Sequence, residues 1–186
     1  MTTLGPPSLP RLLRANPDTV THLLEELTGE PLVADVVRQY SLPAEAGNTL
    51  GVGAGQTVTH RIAVLKGGVT AVPYVYAESA FVPARLPDVA RLQLEQTSDP
   101  IGRILAAHGL ACVREETPAS VPGTPQALEL IEGGVAATSG AAGEPSASAI
   151  VWSRAYVLTI ESLPVFAICE WFFRSVEHAL ERSMPV

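Results

Sequence analysis

Two ionisable residues stand in runs otherwise suited to buried strands: Arg61 in Thr57-Val58-Thr59-His60-Arg61-Ile62-Ala63-Val64-Leu65, and Glu170 in Val165-Phe166-Ala167-Ile168-Cys169-Glu170-Trp171-Phe172-Phe173. Taking a guanidinium or a carboxyl out of water is costly unless the group is paired or used, so both are candidates for a ligand pocket. A carboxyl with apolar neighbours on both sides is expected to be desolvated, which favours the protonated form that a general acid needs. A buried Arg61–Glu170 ion pair without chemistry is the alternative use of the same two residues.

A second device occurs twice, in Asp18-Thr19-Val20-Thr21 and Asp99-Pro100-Ile101-Gly102. Each reads as a helix start with Asp as N-cap, the second with Pro at the first helical position, where a missing N–H costs nothing. Helix N-termini hold anions through their free N–H groups and the macrodipole, so two of them aimed at one cavity with Arg61 would make a carboxylate site. The plainer alternative is that each Asp consumes those donors as a cap. Glu78 and Arg154 form a further charged set on strands and read as supporting or surface residues, while strand alternation turns His60 away from the face of Arg61.

These residues need elements to carry them. Residues 9–14 suggest a short helix. Val20, Leu23, Leu24 and Leu27 recur at helical spacing, and Gly29 with Pro31 ends that helix. Strands are expected over 31–41, 57–66 and 72–82, with turns at Gly47 to Gly55 and at Gly67-Gly68. A helix over roughly 87–96, another ending near His108-Gly109 and a strand over about 110–116 follow. Residues 117–148 are mostly Ala, Gly, Pro, Ser and Thr, too poor in large apolar groups to build much core, and read as a flexible loop with a short helical piece at 125–131. Strands at 149–161 and 164–174 form a hairpin through Glu161-Ser162-Leu163-Pro164, and a short helix follows from Ser175. Clustered strands with helices in front and between imply an α+β domain with an antiparallel sheet.

The composition excludes several classes. The chain has 186 residues, enough for one domain with a substantial core, and we read 1–186 as that domain. Twelve basic residues against 19 acidic ones give a net charge of -7, and no basic stripe compensates for it, so nucleic acid is not an expected partner. The N-terminus lacks the pattern of a signal peptide and no apolar run reaches the length of a membrane span. Cys112 and Cys169 make neither a disulfide framework nor, with His, a zinc spacing, which fits a reducing cytoplasm. No Gly-rich phosphate motif, Walker motif or Gly-x-Ser-x-Gly elbow is present, so no cofactor is implied.

Taken in order, Thr19-Val20-Thr21, Arg61-x-x-x-Leu65, Ala77-Glu78-Ser79 with Pro83, Pro100-Ile101-Gly102-Arg103-Ile104-Leu105, Trp152-Ser153-Arg154 and Glu170 resemble the chorismate pyruvate-lyase family over about residues 9–173. The likeness is greatest to its actinobacterial and cyanobacterial branch. The resemblance implies a single six-stranded antiparallel sheet with helices packed on it, a buried site closed by front-end helical flaps, and no cofactor. It implies that Arg61 and the backbone N–H groups of Val20 and Ile101 hold a ring carboxylate, with Glu170 at the opposite end of the ring as the acid. The implied reaction is elimination of pyruvate from chorismate to give 4-hydroxybenzoate, with a small-molecule carboxylate as the partner and the oligomeric state left open.

Three features depart from the family pattern: the long segment 117–148, Ala155 where a second arginine is common, and Glu78 where enterobacterial members have arginine; the glutamate is normal in the other branch, and the long segment and Ala155 are the two that would signal a changed substrate. Two rival readings share the fold. One is a repurposed member catalysing another elimination or a cyclisation in natural-product biosynthesis. The other is a non-catalytic effector sensor of the GntR-regulator type, for which the roughly fifty residues before the second strand are neither long nor basic enough to supply a DNA reader.

Overall fold

The structure, a computed structural model, describes residues 9–15, 19–117 and 150–183. Asp18 and the expected loop beyond Thr117 lie outside the described residues. Among the described residues five α-helices and six strands occur in the order α1 (Leu9–Ala15), α2 (Val20–Thr28), β1 (Leu32–Pro43), β2 (Thr57–Gly67), β3 (Pro73–Phe81), α3 (Asp88–Gln96), α4 (Ile101–Ala107), β4 (Val113–Glu116), β5 (Ile150–Ile160), β6 (Leu163–Phe173) and α5 (Arg174–Ser183). The strands form one sheet in the order β1-β2-β3-β6-β5-β4 with every neighbour antiparallel, so the expected α+β class and six-stranded sheet are what is observed.

Period-two alternation assigns the faces. Arg61, Ala63 and Leu65 of β2, Ala77 and Ser79 of β3, Ile168 and Glu170 of β6 and Tyr156 and Leu158 of β5 all point to the helix-covered face. Two apolar clusters form there. In one, Leu9 and Leu13 of α1, Val20 and Leu24 of α2, and Val176 and Ala179 of α5 pack with Leu32, Ala63, Leu65 and Phe172. In the other, Ala90 and Leu94 of α3 and Ile104 and Leu105 of α4 pack with Tyr156, Leu158, Phe166 and Ile168. Burying such side chains stabilises the fold by about 1.5–3 kcal/mol each. The opposite face carries Val64, Tyr76, Trp171 and Phe173, and His60 stacks on Tyr40 there, as alternation from Arg61 requires.

The β5–β6 hairpin departs from the expected four-residue connection. Ile160 pairs with Leu163, which leaves a two-residue turn of Glu161 and Ser162, both at positive φ (49° and 66°). Such turns follow the right-handed twist of the strands and normally use Asn-Gly or Gly, so the turn is not legible in the residues that form it. After Thr159↔Pro164 the next pair is Leu158↔Phe166, so Val165 is an extra residue on β6. That bulge switches the register by one, and a one-residue switch decides which side chains share a face.

Candidate functional site

Between the two apolar clusters lies a cavity of about 690 Å³, lined by residues of α1, α2, α4 and all six strands. That is within the range of small-molecule sites, which run to roughly 300–1,000 Å³. Val20, Arg61, Ile101 and Glu170 all line it, so the four residues singled out in the sequence come together around one space. Arg61 and Glu170 nevertheless form no ion pair. They lie on β2 and β6 with β3 between, where the register places Ser79 beside Arg61 and Ala77 beside Glu170.

Arg61 is only 2% exposed and is held by protein acceptors. Its Nη1 donates to Gln39 Oε1 at 3.0 Å and Leu94 O at 2.6 Å, and its Nη2 to Thr97 O at 3.3 Å and Asp99 O at 3.0 Å. Three of those acceptors are main-chain carbonyls at the end of α3 and in the connection to α4, so Arg61 fastens that connection to the sheet. Burial lowers the guanidinium below its ordinary value, with Asp99 acting the other way.

The helix starts differ from the expected caps. In α2 the N-cap is Thr19, whose Oγ1 accepts from the His22 N–H at 3.3 Å, so the cap leaves the N–H groups of Val20 and Thr21 outside it. In α4 the N-cap position is Pro100 rather than Asp99, with no side-chain cap bond. Asp99 turns back instead, accepting from Gln93 Nε2 at 2.9 Å and Thr97 Oγ1 at 3.2 Å, because its backbone is drawn toward Arg61. The two starts abut: a Cβ on Gly102 would lie 2.6 Å from Thr19 Cβ. Glu25 of α2 also holds Arg103 of α4 and accepts from the Leu32 N–H at 2.9 Å.

Glu170 has polar company that its own strand does not supply. Arg154 Nε donates to its Oε2 at 2.7 Å and the Tyr156 hydroxyl to its Oε1 at 2.9 Å, with Arg154 and Glu170 each 5% exposed. The expectation of an isolated carboxyl among apolar neighbours is therefore corrected, and of the two readings of Arg154, supporting or surface, its burial beside Glu170 agrees with the first. Cross-strand neighbours on β5 satisfy the carboxyl because the bulge puts Arg154 directly opposite it. Burial alone would lower the Arg154 value, but Glu170 and Tyr156 outweigh it and the net shift is upward. Burial raises the Tyr156 hydroxyl well above its ordinary value and the Glu170 charge adds to this, which keeps it a donor.

Tyr156, Arg154 and Arg114 were not singled out as site residues from the sequence. For Arg154 and Tyr156 the signals were the Trp152-Ser153-Arg154 motif and the alternation Arg154-x-Tyr156-x-Leu158-x-Ile160, a run with one face to the core. Two departures from the family pattern lie away from the cavity: Ala155 pairs with Cys169 on the opposite face, and Glu78 accepts from the Tyr76 hydroxyl there at 2.7 Å. Among the described residues no group of three His, Cys, Asp or Glu side chains could hold a metal ion, and no helix is long and apolar enough to cross a membrane.

No family model matches the chain. It is 29% identical over 171 residues to the chorismate pyruvate-lyase of Mycobacterium tuberculosis, covering 89% of this chain and 80% of that protein. It is 30% identical over 110 residues to the chorismate pyruvate-lyase of Mycobacterium leprae, covering 57% and 51%. Among solved structures, the effector domain of PhnF from Mycobacterium smegmatis superposes with a TM-score of 0.57 at 18% identity, covering 86% of this chain and 91% of that one, which shows a shared fold. The chain is thus similar in sequence to chorismate pyruvate-lyases and shares its fold, a chorismate lyase-like six-stranded sheet, with that effector domain.

Proposed function

We propose that the protein is a cofactor-independent carbon-oxygen lyase that eliminates pyruvate from chorismate to leave 4-hydroxybenzoate. The observation that carries this reading is a single cavity with a cation and two adjacent helix starts at one end and a hydrogen-bonded carboxylate, Glu170, at the other. The N–H groups of Val20 and Ile101 receive the ring carboxylate. Arg61 contributes positive charge and fixes the α3–α4 connection, so its part is to preorganise those donors as much as to touch the anion.

In the reaction the C4–H and C3–O bonds of the ring break, the ring becomes aromatic, and the departing enolpyruvyl group ends as pyruvate after gaining one proton. Net charge and atoms balance if one group takes the C4 proton and returns it to the leaving group. Glu170 faces that end of the ring. Its neighbours, a guanidinium and a hydroxyl donor, suit an acceptor, so it takes the proton first and acts as the acid in the second half of the step. Tyr156 and Arg154 hold the carboxylate in place throughout.

The test is to incubate purified protein with chorismate and follow 4-hydroxybenzoate and pyruvate by chromatography. The two products are expected in equal amounts, and Glu170→Gln, which keeps the size of the side chain, is expected to slow turnover by about 10²–10⁴-fold with 4-hydroxybenzoate still bound. Chorismate left intact by folded protein would reject the reading in favour of a repurposed enzyme or a sensor, and an unchanged rate in Glu170→Gln would remove Glu170 from the proton transfer.

A further inference from the structure

A second arginine stands at the Glu170 end of the cavity, beyond the one that holds the carboxylate. Arg114 of the edge strand β4 lines the cavity. Its register partner is Leu158 and that of Glu116 is Tyr156, which puts the Arg114 side chain on the cavity face one strand away from Tyr156. The Arg114 guanidinium carbon lies 5.0 Å from the centre of the Tyr156 ring, and that of Arg154 lies 4.8 Å from the same ring. Arg154 is matched by Glu170, and its buried Nη2 has no hydrogen-bond partner among the described residues. Glu116, which also lines the cavity, lies 3.9 Å from Arg14 in a largely exposed pair and adds its negative charge to that of Glu170 on Arg154.

The position of Arg114 is as informative as its charge. Arg61 on β2 and Arg114 on β4 are separated by β3, β6 and β5, four strand spacings or roughly 19 Å between backbones. Both side chains reach into one cavity, and Glu170 stands between them on β6. A ligand that met a cation at each end would be a dianion with its two carboxylates on either side of the atoms nearest Glu170. We propose that Arg114 binds the second carboxylate of such a substrate, the one carried by the group that leaves. Resting on the lyase reading, this assigns Arg114 to the enolpyruvyl carboxylate of chorismate, beside the C–O bond that breaks. A guanidinium suits this part because its planar fork can take a carboxylate through two parallel N–H donors, which an ammonium cannot. The aromatic monoacid product would use only the Arg61 end, so Arg114 separates substrate from product.

The test compares wild type with Arg114→Met, which keeps length and removes charge, and with Arg114→Lys, which keeps charge. For each, KM and kcat for chorismate are measured, together with Kd for 4-hydroxybenzoate by calorimetry and a thermal melt. Arg114→Met is expected to raise KM by about ten- to a hundredfold with Kd for 4-hydroxybenzoate within about twofold, and Arg114→Lys to recover part of the loss. An unchanged KM, or an equal loss of affinity for the dianion and the monoacid, overturns the assignment. Should wild type leave chorismate intact, the lyase reading fails separately. The same calorimetry then reads chorismate binding directly: a loss confined to the dianion in Arg114→Met supports the assignment, and equal or absent chorismate binding in both proteins overturns it.

Discussion

The contact between the starts of α2 and α4 can be tested by adding one methyl group, Gly102→Ala. Inside a helix, Ala is favoured over Gly by about 1 kcal/mol, so on helix propensity alone the variant would be more stable. Against this, the new Cβ would fall 2.6 Å from Thr19 Cβ and 2.9 Å from both its Cγ2 and its Oγ1. A Cβ is fixed to the backbone and cannot rotate away, so the helices themselves must separate. Overpacking of this kind costs about 1–3 kcal/mol. The clash is expected to win, with a net loss of about 1–2 kcal/mol and a Tm lower by roughly 2–8 °C for a chain of this size.

The functional consequence of Gly102→Ala follows from the same displacement. Moving α4 away from α2 changes the spacing between the Val20 and Ile101 N–H groups, so affinity for 4-hydroxybenzoate should fall together with the melt. Thr19→Gly removes the three atoms that the new methyl would meet first, and as an N-cap Gly is weaker than Thr by only a few tenths of a kcal/mol. The double variant should therefore recover most of both losses, giving a favourable coupling in a double-mutant cycle. A Gly102→Ala protein as stable as wild type, with unchanged affinity, would refute the claim that a missing Cβ holds the two helix starts together.

Arg61→Lys should be far from conservative. One ammonium cannot reach the four acceptors that Arg61 spans, and each charge-assisted bond is worth about 1.5–3 kcal/mol, so a loss of about 2–4 kcal/mol is expected in chemical denaturation along with weaker 4-hydroxybenzoate binding. If Arg61 were a ligand and nothing more, binding would weaken with stability unchanged. Glu30 gives a pH signature far from the cavity. Its carboxylate accepts from Thr70 Oγ1, from the Thr70 and Val69 N–H groups at 2.9 Å, and from the Tyr74 hydroxyl at 3.3 Å. Its pKa is lowered from the ordinary 4.5, first by the Thr70 hydroxyl and against the effect of burial. A depressed carboxyl contributes stability that is present above its unfolded value and lost as pH falls through the folded one. Glu30→Gln should therefore be less stable than wild type at neutral pH, with the difference shrinking below about pH 4.5 in urea titrations; a gap that does not change with pH would contradict this.

Much of the fold was legible because its signals are local. Alternation in β2, β3 and β6, the helical spacing in α2, and Gly29, which ends α2 at a φ of 70°, are each decided within a few residues. Sequence by itself also picked Arg61 and Glu170, since a charged group in an apolar strand must be satisfied somewhere. Where it is satisfied was decided by tertiary structure. The acceptors of Arg61 include main-chain carbonyls 33 to 38 residues away, and a carbonyl belongs to every residue type, so no pattern announces it. Arg154 reached Glu170 through the extra residue Val165 and a Glu161-Ser162 turn that lacks the usual Gly. Without that bulge, alternation would put Arg154 and Glu170 on opposite faces. The residue types therefore determined that this chain must hold a buried cation and a buried carboxylate, and the register of the assembled sheet determined their partners, because a shift of one residue reverses every side chain on a strand.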